Sequence, residues 1–264
     1  MSLWNKKQQP LSQKVEKQAP RLDMAEIGFT GLNIFSGQIF ERFRRKLRNW
    51  DEAAKVYIEM RDVSPTIGAM LFAISMLIRQ ADWPVVPASN ENEDAKAAEF
   101  LEENMQDMSN TWKDTIDENL SMFPFGFSFH EIVYKRRLGP DQKDPSRRSR
   151  FNDGAIAWRK MPIRAQETIQ RWNMDEHGGL QSVEQSAPPL FRTVTIPVEK
   201  GLLFRASMHK GNPEGRSILL NAVRPWFFLK RIEEIEAVFD SLVEAIDNLK
   251  EKGHKGCDTK QSNK

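Results

Sequence analysis

The stretch KGNPEGRSILLNAVRPWFF, residues 210–228, lies between two different kinds of local sequence. The apolar run Leu202-Leu203-Phe204 before it is typical of a strand, and the residues after it follow a helical pattern. Within it, Gly211 and Gly215 stand four apart and are followed by Arg216-Ser217. This order of features fits either a nucleotide-binding loop or a structural turn: a strand, a glycine loop, a basic residue, a hydroxyl and a helix.

The residue types in this stretch favour the structural turn. A P-loop has the pattern G-x-x-x-x-G-K-[ST], so that successive backbone amides surround the phosphates and the lysine reaches the terminal one. Here the loop is one residue short, arginine replaces lysine, Pro213 lacks an amide, and Glu214 adds negative charge where phosphate would lie. Asn212 to Gly215 has turn composition, and Ser217 can cap the next helix. We expect a rigid strand-to-helix turn, with a phosphate-using enzyme as the weaker hypothesis.

Apolar residues recur after the turn at alternating spacings of four and three. Pro225 lacks an amide hydrogen and should kink the helix or start a second one. The heptad seam beyond it lasts about three heptads and consists of Phe228, Ile232, Ile235, Phe239, Leu242, Ile246 and Leu249. The pattern predicts a turn and long helix over 210–250, packed along a partner helix of the same chain or of a neighbour. The polar tail 251–264 is predicted to be disordered.

Three consecutive aromatic residues, Trp226, Phe227 and Phe228, lie near the start of this helix. They span too wide an arc for one narrow buried stripe, so at least one should face another element or another subunit. Contact between subunits and packing within the chain both remain open, and stacking on bases is a minor alternative. The candidate subunit-interface residues are Trp226, Phe227, Phe228, Ile232 and Phe239.

The rest of the chain divides into helical and strand-like parts. Residues 1–50 are typical of a mobile basic arm and a first helix, and 51–123 of a helical region in which Ser64-Pro65 begins the clearest helix. The apolar stretch 67–78 is shorter than the about 20 residues of a bilayer span, so we expect a buried helix and no membrane. Residues 124–209 alternate as strands do. The predicted fold class is α+β, with an N-terminal helical region, a small antiparallel sheet and a long C-terminal helix.

Two segments are locally basic, although the whole chain has a net charge of only +2. Residues 41–48, ERFRRKLR, hold five bases and one acid and fit either a solvated helix face or a nucleic-acid contact. Residues 135–150 hold seven bases and two acids, which predicts a flexible basic loop over 135–153. The candidate DNA-facing residues are Arg136, Arg137, Arg147, Arg148 and Arg150.

The sequence offers no convincing catalytic, cofactor-binding or metal site. The four histidines are scattered, and none pairs with another at metal-ligand spacing. The single cysteine, Cys257, lies in the polar tail. We therefore expect no enzyme activity, no cofactor and no bound metal.

Five stretches in order resemble the portal proteins of tailed bacteriophages, in particular the Mu-like branch. They cover about residues 55 to 238. The stretches are MRDVSPTIGAMLFAISMLIRQADWPVVPA, FPFGFSFHEIVYKRR, IAWRKMPIRAQETIQRW, IPVEKGLLFRA and KGNPEGRSILLNAVRPWFFLKRIEEIEAV. By this resemblance the chain is identified as a member of the family.

The resemblance implies a non-catalytic ring, typically of twelve subunits, at one capsid vertex, through which DNA passes non-specifically. Its partners would be further copies of the chain, the terminase, capsid proteins and head–tail connector proteins. Its location would be the virion, and the host cytoplasm during assembly. Portal chains usually continue well beyond the long helix, so the resemblance also implies a shortened chain, from a truncated or frameshifted gene. The alternative, from the residues alone, is a nucleic-acid-associated adaptor that uses the basic segments 41–48 and 135–150.

Overall fold

The computed structural model of the chain describes residues 28–42 and 44–261, with side chains described as far as residue 250. The helices of this part are α1 (Trp50–Val63), α2 (Pro65–Arg79), α3 (Asn92–Gln106), α4 (Trp112–Asn119), α5 (Met122–Phe125) and α6 (Val223–Gln261). The predicted α+β class is confirmed, because in this part of the chain five α-helices follow a short hairpin over residues 34–39, then come the antiparallel strands, and one long helix comes last. Most of the predicted N-terminal arm, up to residue 27, lies outside the described residues.

The strands form four small antiparallel sheets in the described part of the chain. They are β1 (Ile34–Phe35), β2 (Gln38–Ile39), β3 (Phe127–Glu131), β4 (Val133–Arg136), β5 (Ile156–Lys160), β6 (Ile163–Arg164), β7 (Ile169–Met174), β8 (Leu180–Ala187), β9 (Arg192–Pro197) and β10 (Gly201–Arg205). The two larger sheets have the strand orders β10-β3-β6 and β7-β8-β9, and the smaller ones pair β1 with β2 and β4 with β5. The sheet predicted as one unit is therefore divided.

The boundary between α1 and α2 follows the local sequence. Ser64 is extended, with φ −84° and ψ 112°, and Pro65 takes the first position of α2, where its missing amide costs nothing. The residue before a proline avoids the helical region, so α1 must end there. The predicted helix start at Ser64-Pro65 is confirmed, and the two helices meet at a bend of 89°.

Two apolar clusters are joined through Trp50. The ring of Trp50 lies 6.4 Å from that of Phe125 in the first cluster and 5.1 Å from that of Phe127 in the second, measured between ring centres. The first cluster comprises Leu47, Ala53, Ala54, Tyr57, Met60, Phe125, Leu219 and Val223. The second comprises Ile39, Phe127, Phe129, Ile169, Trp172, Val183 and Ile196. The first cluster therefore joins α1 to the base of α6, and the second fills the space between the sheets.

Helix α2 is not the buried helix that its composition predicted. None of its residues is buried, and Met70, Phe72 and Leu77 are each more than 60% exposed. An apolar helix face that the described residues leave exposed is typical of a contact with another chain. In the described part of the chain, no single helix is long and apolar enough to cross a bilayer; α1 and α2 taken together, with their bend, meet that criterion by length and composition.

Two further predictions differ from the structure. The segment 41–48 forms only a short 3-10 turn at Arg45–Leu47, because Arg42 and Leu47 are drawn into contacts inside the fold. The tail predicted to be disordered continues α6 as far as Gln261, since adding residues to an existing helix is easier than starting one. Residues 262–264 of that tail lie outside the described residues.

Candidate subunit interface and basic surfaces

The turn over 211–217 is held together by its own hydrogen bonds. The backbone N–H of Glu214 donates to Asn212 Oδ1 at 2.8 Å, and that of Gly215 donates to the Asn212 carbonyl at 3.2 Å. Ser217 Oγ accepts from the N–H of Leu219 at 3.0 Å and donates to the Pro124 carbonyl at 2.5 Å. The amides of Asn212, Glu214 and Gly215 thus already have acceptors within the chain and are not open to a phosphate. The structural-turn prediction, including the Ser217 cap, is confirmed.

This turn lies in direct backbone contact with the turn that precedes β3. Gly126 has φ +101° and Gly215 has φ +56°, both in the left-handed region that favours glycine. A Cβ atom on Gly126 would lie 2.7 Å from the Glu214 carbonyl oxygen and 2.8 Å from the Ser217 nitrogen. Glycine is therefore required at 126 both by conformation and by space.

Glu214 connects three parts of the fold through its buried carboxylate. Arg42 Nη2 donates to one carboxylate oxygen at 2.5 Å, and the Trp172 indole N–H donates to the other at 3.3 Å. Burial raises the pKa of Glu214, while the charge and hydrogen bond of Arg42 act against that rise. A cavity of about 480 Å³ adjoins this pair and is also lined by Tyr57 and Arg216. The local sequence shows Glu214 only as an obstacle to phosphate, and its structural role becomes visible once Arg42 and Trp172 lie beside it.

A second buried ion pair anchors the basic loop 135–153. Lys135 Nζ lies 2.8 Å from Asp107 Oδ2, and Ser149 Oγ donates to the same oxygen at 2.6 Å. Burial would raise the pKa of Asp107, but the hydrogen bonds from Lys135, Ser149 and the backbone of Arg150 outweigh it and lower the pKa. Further along, the N–H of Gly139 donates to the Phe151 carbonyl at 2.9 Å. The loop is thus anchored at several points, in contrast to the free loop that its composition predicted.

Arg137 is buried and does not belong among the DNA-facing residues. Its Nη2 lies 2.6 Å from Glu103 Oε2 and 3.1 Å from Asp153 Oδ2, and its guanidinium stacks 3.9 Å from the centre of the Phe151 ring. The prediction for Arg137 is therefore wrong, because strand β4 and its continuation alternate sides, burying Lys135 and Arg137. Strand alternation places Arg136 and Arg137 on opposite faces, but the sequence does not show which face is buried, since Tyr134 and Leu138 share the exposed face with Arg136. The other four predicted arginines, Arg136, Arg147, Arg148 and Arg150, are exposed.

The three aromatic residues at the base of α6 point in different directions. Trp226 is partly buried and packs against the first cluster, whereas Phe227 and Phe228 are 38% and 55% exposed. Pro225 falls in the first turn of the helix, where its amide would have no partner, so it starts α6 and does not kink it. Within the chain, Trp226 therefore serves packing, and the two phenylalanines remain available for contact with another subunit.

The heptad seam of α6 has no partner helix among the described residues. Its seven residues, from Phe228 to Leu249, are each between 51% and 70% exposed. Near its base the helix is tied to the rest of the chain by Trp226 and by an ion pair between Lys230 and Glu59. The predicted seam thus exists as a continuous apolar face, and the predicted interface residues Ile232 and Phe239 lie on it.

The described residues contain no group of three histidine, cysteine, aspartate or glutamate side chains that could hold a metal ion. Their most prominent surfaces are the exposed apolar faces of α2 and α6, which are larger than a lone chain in water normally leaves open. Such surfaces are typical of a class of protein, the subunits of larger assemblies.

The chain belongs to the Mu-like family of bacteriophage portal proteins: the family model described as the portal protein of Mu bacteriophage matches residues 54–239. The match extends from α1 through the sheets and the 211–217 turn into the first half of α6. The resemblance predicted from five stretches of sequence is confirmed. A comparison with curated proteins finds no match.

Proposed function

We propose that the chain is a structural portal subunit that assembles into a ring at a capsid vertex, through which phage DNA is packaged and ejected. Membership of the portal family supports this proposal, and the observation that carries it is the uncovered apolar seam of α6. The chemistry of packaging would belong to the terminase, so the portal subunit itself acts without catalysis. Its place would be the virion, reached through assembly in the host cytoplasm.

A ring requires two different patches on every subunit, because each copy contacts one neighbour on each side. The seam of α6 and the exposed face of α2 lie on separate helices, and strands β3 to β10 come between these helices in the sequence. Neither face finds cover among the described residues of its own chain. Separate uncovered faces of this kind suit head-to-tail contacts between copies.

Burying the apolar seam provides about as much free energy as association costs, so a stable interface requires further contacts. Burying one fully exposed Leu, Ile or Phe side chain stabilises by about 1.5–3 kcal/mol, so seven side chains that are already half-covered contribute roughly 5–10 kcal/mol. Association costs about 4–15 kcal/mol in lost freedom of motion. The free energy gained by burying the seam is therefore close to the cost of association. In a closed ring every copy makes contacts on both sides, and these further contacts favour assembly.

The exposed arginines of the basic loop are the proposed DNA-facing residues. Arg136, Arg147, Arg148 and Arg150 can contact phosphates without reading sequence. The near-neutral charge of the whole chain suits DNA that must move through a channel, because many phosphate contacts would hold it in place. The proposed protein partners are the terminase, the capsid proteins and the head–tail connector, besides further copies of the chain.

The native mass of the purified protein tests the proposal. Light scattering over a range of protein concentrations, with negative-stain electron microscopy of the largest species, should give annular particles of about twelve subunits, as closed cyclic symmetry requires a fixed number. A chain that stays monomeric at every concentration would overturn ring assembly. If that monomer bound DNA with a steep loss of affinity in salt, the adaptor function based on the basic segments would replace it.

A further inference from the structure

The apolar face of α6 is wide and has most of its acidic residues along one flank. At about 100° per residue, the seam together with Val238, Val243 and Ala245 spans about 160° of the helix, more than the a/d stripe of a two-stranded coiled coil. One flank is lined by five acids, Glu233, Glu236, Asp240, Glu244 and Asp247. Residues 232–249 contain six acids and no base. A partner for this helix should therefore offer an apolar floor and positive charge on one side.

A groove with these properties lies at the base of α6, between residues 44–47, α1 and the first turns of α6. It has a volume of about 260 Å³, and its lining residues include four bases and the three acids Glu52, Glu59 and Glu234. Its apolar floor is formed by Leu47, Val56, Val223, Trp226 and Phe227. Its basic rim is formed by Arg44, Lys46, Lys230 and Arg231. We call it the basal groove.

Part of the positive charge at the basal groove has no ion-pair partner among the described residues. Lys230 is paired with Glu59, and Arg231 with Glu234. Arg44 and Lys46, by contrast, form no ion pair with any other described residue. The groove thus combines an apolar floor with two cations, Arg44 and Lys46, that are unpaired within the part of the chain that the structure describes.

We propose that the apolar face and acidic flank of α6 in one copy dock into the basal groove of the next copy. The proposal rests on the proposed ring function and names the two surfaces that meet. Charge complementarity supports it: five flank acids face a rim whose Arg44 and Lys46 form no ion pair among the described residues. A symmetric pairing of two α6 seams would offer the acids no cation, because residues 232–249 contain no base.

The length of α6 and the charge of residues 1–27 both favour an occupant from another molecule. Helix α6 has 39 residues, about 58 Å at 1.5 Å per residue, and its acidic part points away from the groove at its own base. A continuous helix cannot turn back onto its first residues. The N-terminal residues 1–27 carry five bases and three acids, so charge disfavours them as occupants. Because face and groove are different patches, successive copies add head to tail, as in a ring.

Charge reversal on each side tests the contact. Variant A carries E236K and D240K on α6, and variant B carries R44E and K46E at the groove. Each alone should raise the protein concentration for half-maximal assembly by about tenfold or more, because like charges then face each other. An equimolar mixture of A and B should restore assembly, because every contact between A and B pairs opposite charges. The basic α6 of A meets the acidic groove of B, and the acidic α6 of B meets the basic groove of A. A chain with all four changes should assemble alone, since every α6 again meets a groove of opposite charge.

The matched control is E93K with D94K on α3, which changes the net charge as variant A does and should assemble like the wild type. Circular dichroism melting establishes that each variant is folded. When the wild type forms rings, two results would overturn the docking contact and leave the ring function standing. In one, variants A and B form rings as well as the wild type does. In the other, the chain with all four changes stays unassembled. A variant B that assembles normally but loses DNA binding assigns the cations to DNA and also overturns the docking contact. A wild type that never assembles overturns the ring function itself.

Discussion

Arg42 and Glu214 form a buried ion pair although they stand 172 residues apart in the chain. Arg42 Nη2 lies 2.5 Å from Glu214 Oε2, and the two side chains are only 10% and 4% exposed. Trp172 donates to the other carboxylate oxygen, so the pair ties the N-terminal segment and β7 to the 211–217 turn. The turn that precedes α6 is therefore held in part by a charged contact between distant parts of the chain.

Replacing Arg42 with methionine should lower the free energy of unfolding by about 3–5 kcal/mol, because Glu214 is left as a buried charge without its partner. Urea unfolding, followed by tryptophan fluorescence at low protein concentration, measures the change. The double variant with Glu214→Leu should recover most of the loss, since it leaves no buried charge. Equal losses in the single and double variants would show that the pair does not carry the effect.

Gly126→Ala should be more destabilising than Gly154→Ala, although both glycines have positive φ. At Gly154 nothing lies within 4 Å of an added Cβ, so alanine adds only the left-handed backbone strain of about 1 kcal/mol. At Gly126 the added atom also meets the backbone of Glu214 and Ser217, so we expect a loss of at least about 3 kcal/mol. Thermal melting of the two variants side by side checks this, and similar losses would contradict the close approach of the two turns.

His130 should make the protein less stable as the pH falls below 6.5. Burial lowers the pKa of His130 from its ordinary 6.5; Nδ1 lies 3.0 Å from the Met161 carbonyl, and the buried Nε2 has no hydrogen-bond partner among the described residues. The unfolded chain binds a proton near pH 6.5 that the folded chain excludes, so stability is full above that pH. It declines below it by up to about 1.4 kcal/mol per pH unit until the folded pKa is reached.

The His130→Leu variant should flatten that pH dependence in unfolding experiments between pH 5 and 7, relative to the wild type. The exposed His177→Leu variant is the control for removing an imidazole. Retention of the full slope in His130→Leu would assign the pH dependence to other groups.

Substitutions at Trp226 and at Phe239 should distinguish a side chain needed for folding from one needed for assembly. Trp226→Ala removes packing against the first cluster and should lower the free energy of unfolding by about 2–3 kcal/mol. Phe239→Gln changes an exposed position, so the monomer should keep its stability within about 0.5 kcal/mol while the concentration for half-maximal assembly rises. Unfolding curves and light scattering on both variants distinguish the two roles; a Phe239→Gln protein that assembles as well as the wild type argues against the seam as an interface.

DNA binding should depend on the exposed arginines of the basic loop and not on Arg137. Joint replacement of Arg147, Arg148 and Arg150 by alanine should weaken binding equally for all sequences. It should also reduce the slope of log K against log salt by about 0.9 for each phosphate that the variant no longer neutralises. Fluorescence anisotropy with duplex DNA at several salt concentrations measures the slope, and an unchanged slope would remove the loop from the DNA-contacting surface.

The Arg137→Met variant is the matched control for that experiment. It should lower stability, because it leaves Glu103 and Asp153 without their shared cation, while the salt slope of DNA binding stays as in the wild type. A reduced slope in this variant would mean that Arg137 reaches DNA after all.

Local patterns were sufficient for the parts of the fold whose causes lie within a few residues. The Ser64-Pro65 boundary, the 211–217 turn with its Ser217 cap and the place of Pro225 in the first turn of α6 each follow from backbone chemistry that a short window contains. The five stretches of resemblance led to the family that residues 54–239 match. Local patterns predicted less well which elements are buried. Helix α2 has the composition of a buried helix, yet none of its residues is buried by the described part of the chain.

The amino-acid sequence by itself determined the α+β class, the helical N-terminal part, the turn and the apolar seam of α6, because periodicity and turn chemistry are local properties. The tertiary structure alone decided which charges are exposed. Arg137 and Arg136 are neighbours of the same type, yet one is buried between Glu103 and Asp153 and the other is exposed. Likewise Arg42, within the basic segment 41–48, pairs with Glu214. Charge acts through distance in space, and residues more than a hundred positions apart meet only once the chain has folded.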